Sequence, residues 1–311
     1  MGKSDIITKE YMEDPKRFAD AFNYFAFNGK QVVQAELLTA DDVTELGIIM
    51  NQEKTEAAQK FRDVLKKCIV KEDDKYAYLL MGIENHTDIH YALPVKNMIY
   101  DALNYGKQVT ERAKEHKKKK DLYGDEFLSG FLKTDKLKPV ITLVIYFGTS
   151  EWDAPRTLKE MFEGVSEQIL RFVPDYKVNL IVPKEIEDFS KFHTDLGKVM
   201  KYIAVADQKE LLNAVAQEEA YQVVNSETAR LLKEVAGVKI KMNNKKEVNM
   251  CKALQDMTDE ARADGMEQGM YQEFMENVLN MHESGMDAQT IARYLKKDFE
   301  LVLGIIDKNR R

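Results

Sequence analysis

Arg62-Asp63-Val64-Leu65-Lys66-Lys67-Cys68-Ile69-Val70, then the polar Lys71-Glu72-Asp73-Asp74-Lys75, then Tyr76-Ala77-Tyr78-Leu79-Leu80-Met81-Gly82-Ile83-Glu84-Asn85-His86 form the stretch that decides the fold. Both arms are rich in strand formers and a charged turn separates them, so the segment reads as a β-hairpin. Centring the turn between Asp73 and Asp74 sets the register. Val64 then faces Ile83, Cys68 faces Leu79 and Val70 faces Ala77 on a core face, where Lys66 opposite Met81 is the one polar exception. The same register sets Asp63 opposite Glu84.

Like charges directly opposite one another destabilise a sheet unless something bridges them, and a divalent cation is the natural bridge. Side chains alternate along a strand, so Glu84 and His86 project from the same side as Asp63. Two carboxylates and a backbone carbonyl, that of Asn85, offer hard oxygen ligands to Mg2+. A third side chain, His86, then orients or deprotonates an attacking water, as metal-dependent phosphodiester hydrolysis requires. The competing reading is an ordinary hairpin whose surface Asp63 and Glu84 pair with Arg62 or Lys67.

Strands are expected at Val43 to Met50, 62–70, 76–85, 139–147 and 177–182, with helices before, between and after them. This describes an α/β sandwich around a mixed sheet. An aromatic-rich first helix starts near Pro15 and stops at Asn28-Gly29, with Phe18, Phe22 and Phe25 on one face. Its Asp20 either approaches the metal or is solvated. After the hairpin, a helix runs from about Pro94 through Val109 or beyond, with Lys96 and Tyr100 one turn apart on a shared face. His90 and His193 read as structural, since neither has a second ligand at metal-binding spacing.

Phe61-Arg62-Asp63-Val64-Leu65, Met81-Gly82-Ile83-Glu84-Asn85-His86-Thr87 and Pro139-Val140-Ile141-Thr142-Leu143-Val144-Ile145-Tyr146-Phe147-Gly148, followed by Trp152-Asp153-Ala154-Pro155-Arg156, together resemble the recombination-promoting nuclease family. That family, also labelled YhgA-like transposase, belongs to the PD-(D/E)XK nuclease superfamily. The resemblance is strongest over 60–160 and weaker to about 235. It implies a PD-(D/E)XK nuclease-like mixed sheet flanked by helices and a DNA endonuclease using Mg2+, or Mn2+, associated with recombination or mobile elements. It assigns Asp63 and Glu84 as metal-binding acids, and it matches Lys96 and Tyr100 to a basic residue and a tyrosine at the same distances after the strand acid. Lys96 would neutralise a DNA phosphate and Tyr100 would position it, or simply pack helix against sheet. The family usually carries Gln, and the superfamily Lys, where this chain has His86. A neutral imidazole accepts a proton or binds metal, so the departure leaves two outcomes open: activity with altered pH dependence or metal preference, or an inactive nuclease-derived protein that binds DNA or protein through its helical C-terminus.

The chain has 311 residues, 44% hydrophobic and 32% charged, with a net charge of −7. A DNA-binding surface must therefore be a local basic patch, and the run Lys114-Glu115-His116-Lys117-Lys118-Lys119-Lys120 is the candidate: either a solvated helix end or mobile loop, or a region that steers DNA. No apolar run approaches membrane-spanning length, the N-terminus lacks a signal-peptide stretch, and the two cysteines, Cys68 and Cys251, give neither a disulfide framework nor a zinc spacing. The reading is a cytoplasmic protein without a membrane partner.

The expected domains are a nuclease-like 1–236, with a core of about 14–185 and a helical extension over 194–236, a basic linker over 237–247, and a helical 248–311. In the last region Met250, Leu254, Met257 and Ala261 suit a helix-helix seam and so a homo-oligomer. Ile291-Ala292 and Leu295 resemble the first half of a helix-turn-helix, but Asp298 and Glu300 open its second helix, so an interaction or dimerisation module is the better reading.

Overall fold

The computed structural model describes residues 2–40, 64–72, 75–238 and 247–309. It opens with α1 (Lys3–Met12) and α2 (Pro15–Phe27). The Asp14 carboxylate accepts from the Lys16 backbone N–H at 2.7 Å and Pro15 occupies the first turn, so α2 starts where its sequence directs. It stops at Asn28, in the left-handed region with φ 54°. The next residue is glycine for two reasons: its φ is 86°, and a Cβ there would lie 2.9 Å from the Lys191 carbonyl oxygen. Phe18 and Phe22 are fully buried, whereas Phe25, at the end of the helix, is 37% exposed.

Five strands follow in the order β1 (Thr39–Ala40), β2 (Val64–Glu72), β3 (Lys75–His86), β4 (Val140–Tyr146) and β5 (Asn179–Ile181). The first three are antiparallel neighbours, while β3, β4 and β5 run parallel. Parallel neighbours need a crossover, and α3 (Leu93–Lys119) supplies it between β3 and β4. The hairpin register is the one the sequence implies, with Val64 opposite Ile83, Cys68 opposite Leu79 and Val70 opposite Ala77. The expected strand Val43–Met50, the turn residues Asp73 and Asp74, and Asp63 all lie outside the described residues.

Val64, Cys68, Met81 and Ile83 are buried on one face of the hairpin. Lys66 is buried among them, and its ammonium donates to the Glu13 carbonyl oxygen at 2.7 Å and lies 5.0 Å from the centre of the Phe18 ring. The opposite face is closed by α3, whose Leu93 packs with Val144, Tyr146, Trp152 and Val178. After a five-residue α4 (Asp125–Ser129) and a four-residue α5 (Glu167–Leu170) come α6 (Asp195–Ala204), α7 (Lys209–Ala216), α8 (Glu219–Gln222) and α9 (Ser226–Val235). Asp20 is not solvated. It is buried, and its carboxylate accepts from the backbone N–H groups of His193 and Thr194 and from the Thr194 hydroxyl at 2.6–2.9 Å, tying α2 to the start of α6.

The chain divides into two compact units, Met1–Cys251 and Lys252–Arg311. Of the expected basic linker, 239–246 lies outside the described residues. The first unit also holds a short pairing of β6 (Val224–Asn225) with β7 (Glu247–Val248). The long α10 (Met250–Glu283) carries most of its length into the second unit, which adds α11 (Ala288–Leu295) and α12 (Phe299–Asn309). The second unit has its own core of Val278, Ile291, Ala292, Val302, Ile305 and Ile306. The side chains of Leu254, Met257 and Ala261, expected in a seam, are outside the described set, while Met266 and Met270 are exposed. The carboxylate of Asp298 accepts from the Glu300 backbone N–H at 2.9 Å, so it caps α12. Among the described residues, no helix is long and apolar enough to cross a membrane.

Candidate active site

Glu84 and His86 occupy the end of β3, paired with Val144 and Tyr146 of β4. The Phe147 backbone N–H donates to the His86 carbonyl oxygen at 2.7 Å and so extends the parallel ladder to the end of the strand. The chain then reverses and enters α3 at Leu93, with Pro94 in the first turn. Because Leu93 is anchored on Val144 and Tyr146, the first turn of α3 stands over the end of β3. Lys96 consequently reaches Glu84, with its Nζ 2.9 Å from Oε2.

Glu84 is only 4% exposed, and Lys96 is half-buried. Burial opposes the Lys96 charge, but the Glu84 carboxylate outweighs it and raises the lysine above its ordinary value. The same ammonium lies 5.5 Å from the centre of the buried Tyr100 ring, one turn along α3. Burial, together with the Lys96 and His90 charges, pushes His86 down to about 3. His86 is thus a neutral imidazole at physiological pH, and its 3.8 Å approach to Glu84 through Nε2 is not an ion pair.

The structure therefore joins three of the five expected site residues, Glu84, His86 and Lys96, and sets Tyr100 beside them beneath Lys96; Asp63 is outside the described residues. It also brings in His90, which reads as structural in sequence. The His90 ring centre is 5.8 Å from that of His86, and its pKa is lowered by burial and by Lys96. The four-residue spacing of His86 and His90 was the available signal. Asn97, fully buried on the sheet-facing side of α3, is a further polar residue that sequence reasoning passed over; neither of its amide atoms has a hydrogen-bond partner among the described residues. His193 is structural, as expected, with its backbone N–H bound to Asp20 and Nε2 3.2 Å from the Gly29 carbonyl oxygen.

These groups combine a buried anion, a paired cation and a neutral imidazole at the carboxyl end of a strand beside a parallel neighbour, where α/β sheets open their crevices. No group of three His, Cys, Asp or Glu side chains positioned for a metal ion occurs among the described residues. Those present fit part of a divalent-cation site. Glu84 supplies a hard oxygen donor, and the buried Nε2 of His86 has no hydrogen-bond partner among the described residues.

Residues 52–230, more than half of the chain, match the family described as "Putative transposase, YhgA-like". No curated protein and no solved structure matches the chain.

Proposed function

Because the chain belongs to the YhgA-like transposase family, we propose that it is a DNA endonuclease dependent on Mg2+ or Mn2+, of PD-(D/E)XK type, acting in recombination or mobile-element biology. The observation that carries this reading is the convergence of Glu84, His86 and Lys96 at the end of β3. Asp63 and Glu84 are the residues that would hold the ion, which when bound supplies Lewis-acid polarisation of the phosphoryl group and an acidified water.

The residues of the chain divide the remaining work. Lys96 keeps its positive charge at the site and meets a phosphate oxygen there. His86, whose pKa is about 3, is too weak a base to store the proton of the attacking water. It acts as a neutral acceptor that orients the water through Nε2. The packing of Leu93 on Val144 and Tyr146 fixes the turn of α3 that carries Lys96.

A second reading, a nuclease-derived binding protein without catalysis, is favoured by one observation: Lys96 already holds the Glu84 carboxylate at 2.9 Å. Plasmid cleavage with Mg2+, Mn2+ or EDTA, run beside Asp63→Ala, Glu84→Ala and His86→Gln, separates the two. Metal-dependent nicking that disappears in both acid variants supports the enzyme. An inert natural chain that gains activity in His86→Gln supports the binding protein.

A further inference from the structure

The basic run is the end of α3 rather than a loop: Lys114 and Lys117–Lys119 lie on its last turns, and Lys120 caps it with a φ of 55°. At 1.5 Å per residue, Lys117 is about 32 Å along the helix from Lys96, too far for both to act on one phosphate. Beyond Lys120 the chain folds back onto the helix as a finger. The two ring nitrogens of the buried His116 lie 2.9 Å from carboxylate oxygens of Asp121 and Asp135. The Leu132 backbone N–H donates to Asp135 at 2.8 Å, and the Lys133 N–H to Glu126 at 3.0 Å. Gly130 sits so close to α3 that a Cβ there would lie 2.7 Å from the Cβ of Ala113. Gln108 closes the base through two bonds to the Lys138 backbone, at 2.7 and 3.0 Å.

This bracing holds α4 and the residues leading into it in place yet leaves their apolar side chains in solvent. Tyr123 is 77%, Phe127 71% and Leu128 86% exposed. Single exposed apolar residues are ordinary, but three within six positions on a braced finger form a patch. Its surroundings are cationic: residues 111–138 hold nine Lys and Arg against six Asp and Glu, in a chain whose net charge is −7. Exposed aromatic rings beside lysines offer stacking platforms for bases and countercharge for phosphates, and only unpaired bases present their faces to such rings. We infer that the α3–α4 finger, through Tyr123, Phe127 and Lys117–Lys120, binds a single-stranded segment of nucleic acid remote from the Glu84 site.

The inference rests on the proposed nucleic-acid function but not on catalysis, so its test is binding in EDTA. Fluorescence anisotropy of a labelled oligothymidine and of a duplex of equal length is measured with the full chain, with Tyr123→Ala/Phe127→Ala, and with Lys118→Glu/Lys119→Glu. All four positions are on the surface, and circular dichroism verifies folding. The expected result is tighter binding of the single strand, weakened about tenfold or more by the aromatic pair with little change for duplex. The lysine pair weakens both and flattens the salt dependence. Unchanged single-strand binding in the aromatic variant, or tighter binding of duplex, overturns the inference. So does a finger that captures anionic phospholipid vesicles through Tyr123 and Phe127 while ignoring the oligonucleotide. Finger binding without plasmid cleavage defeats the nuclease reading alone, and cleavage without finger binding defeats this one alone.

Discussion

Lys96 Nζ stands 2.9 Å from Glu84 Oε2, joining the first turns of α3 to the end of β3 across twelve residues of sequence. The carboxylate is buried, so its partner does more for stability than a surface ion pair would. Removing Lys96 takes a close cation away from a buried anion, whereas neutralising both partners removes the buried charge as well. Lys96→Met is expected to destabilise the fold by about 1–3 kcal/mol, below the cost of breaking a fully buried pair because the lysine keeps some solvent. Adding Glu84→Gln to that variant is expected to recover most of the loss in urea unfolding. Additive losses would mean that the two groups do not stabilise one another.

Gly148 tests the wall behind the site. A Cβ at this position would run into the ring of Tyr146, which is buried edge-on against Trp152 with ring centres 5.2 Å apart. Tyr146 is also the β4 partner of His86. Gly148→Ala is expected to cost about 1–3 kcal/mol by overpacking and to change the emission of Trp152, the only tryptophan in the chain. Wild-type stability with unchanged fluorescence would show that the ring yields freely.

The hairpin was legible because its information is local. A charged turn between two arms of strand formers fixes the pairing of Cys68 with Leu79, and the alternation of side chains then sets Glu84 and His86 on one side. The contact of Lys96 with Glu84 was not legible, since it depends on where the crossover helix lands on the sheet, which Leu93 decides through contacts with β4. The reach of α3 past Val109 was left open in the sequence, and the helix runs on to Lys119. Lysines read as a charge run, although they are good helix formers and are favoured at the negative end of a helix. Asp20 was not legible either: an acid expected near the metal or in solvent has its carboxylate bonded by backbone N–H groups at the start of α6.

That assignment of Asp20 has its own consequence. Replacing it with alanine leaves the donors at His193 and Thr194 without their shared acceptor, and hydrogen bonds to a charged group are the costly ones to lose. Asp20→Ala is expected to lower stability by about 3 kcal/mol while leaving any metal-dependent cleavage intact at temperatures where the variant stays folded. Loss of cleavage by a variant with wild-type unfolding behaviour would return Asp20 to the active site.

The brace at the far end of α3 makes stability depend on pH in a definite direction. Both nitrogens of His116 can donate to Asp121 and Asp135 only when the ring is doubly protonated. Burial works against that charge, but the two carboxylates outweigh it and raise His116 above its ordinary 6.5. Asp135 moves the opposite way: burial would raise it, but the Leu132 backbone N–H, His116 and the nearby Arg112 charge together hold it below 3.8. A raised histidine stabilises fully below its unfolded pKa and loses that contribution as pH climbs through the folded one; a depressed carboxylate stabilises above its unfolded pKa and loses it on acidification. The finger is therefore expected to be firmest between about pH 4 and 6.5 and to loosen as pH rises beyond that window. Amide hydrogen exchange of residues 121–135, corrected for intrinsic rates, is expected to accelerate above that range in the natural chain. In His116→Gln the corrected exchange is expected to be faster throughout and flat across the same interval. A wild-type profile without a pH trend would mean that His116 holds the finger as a neutral ring.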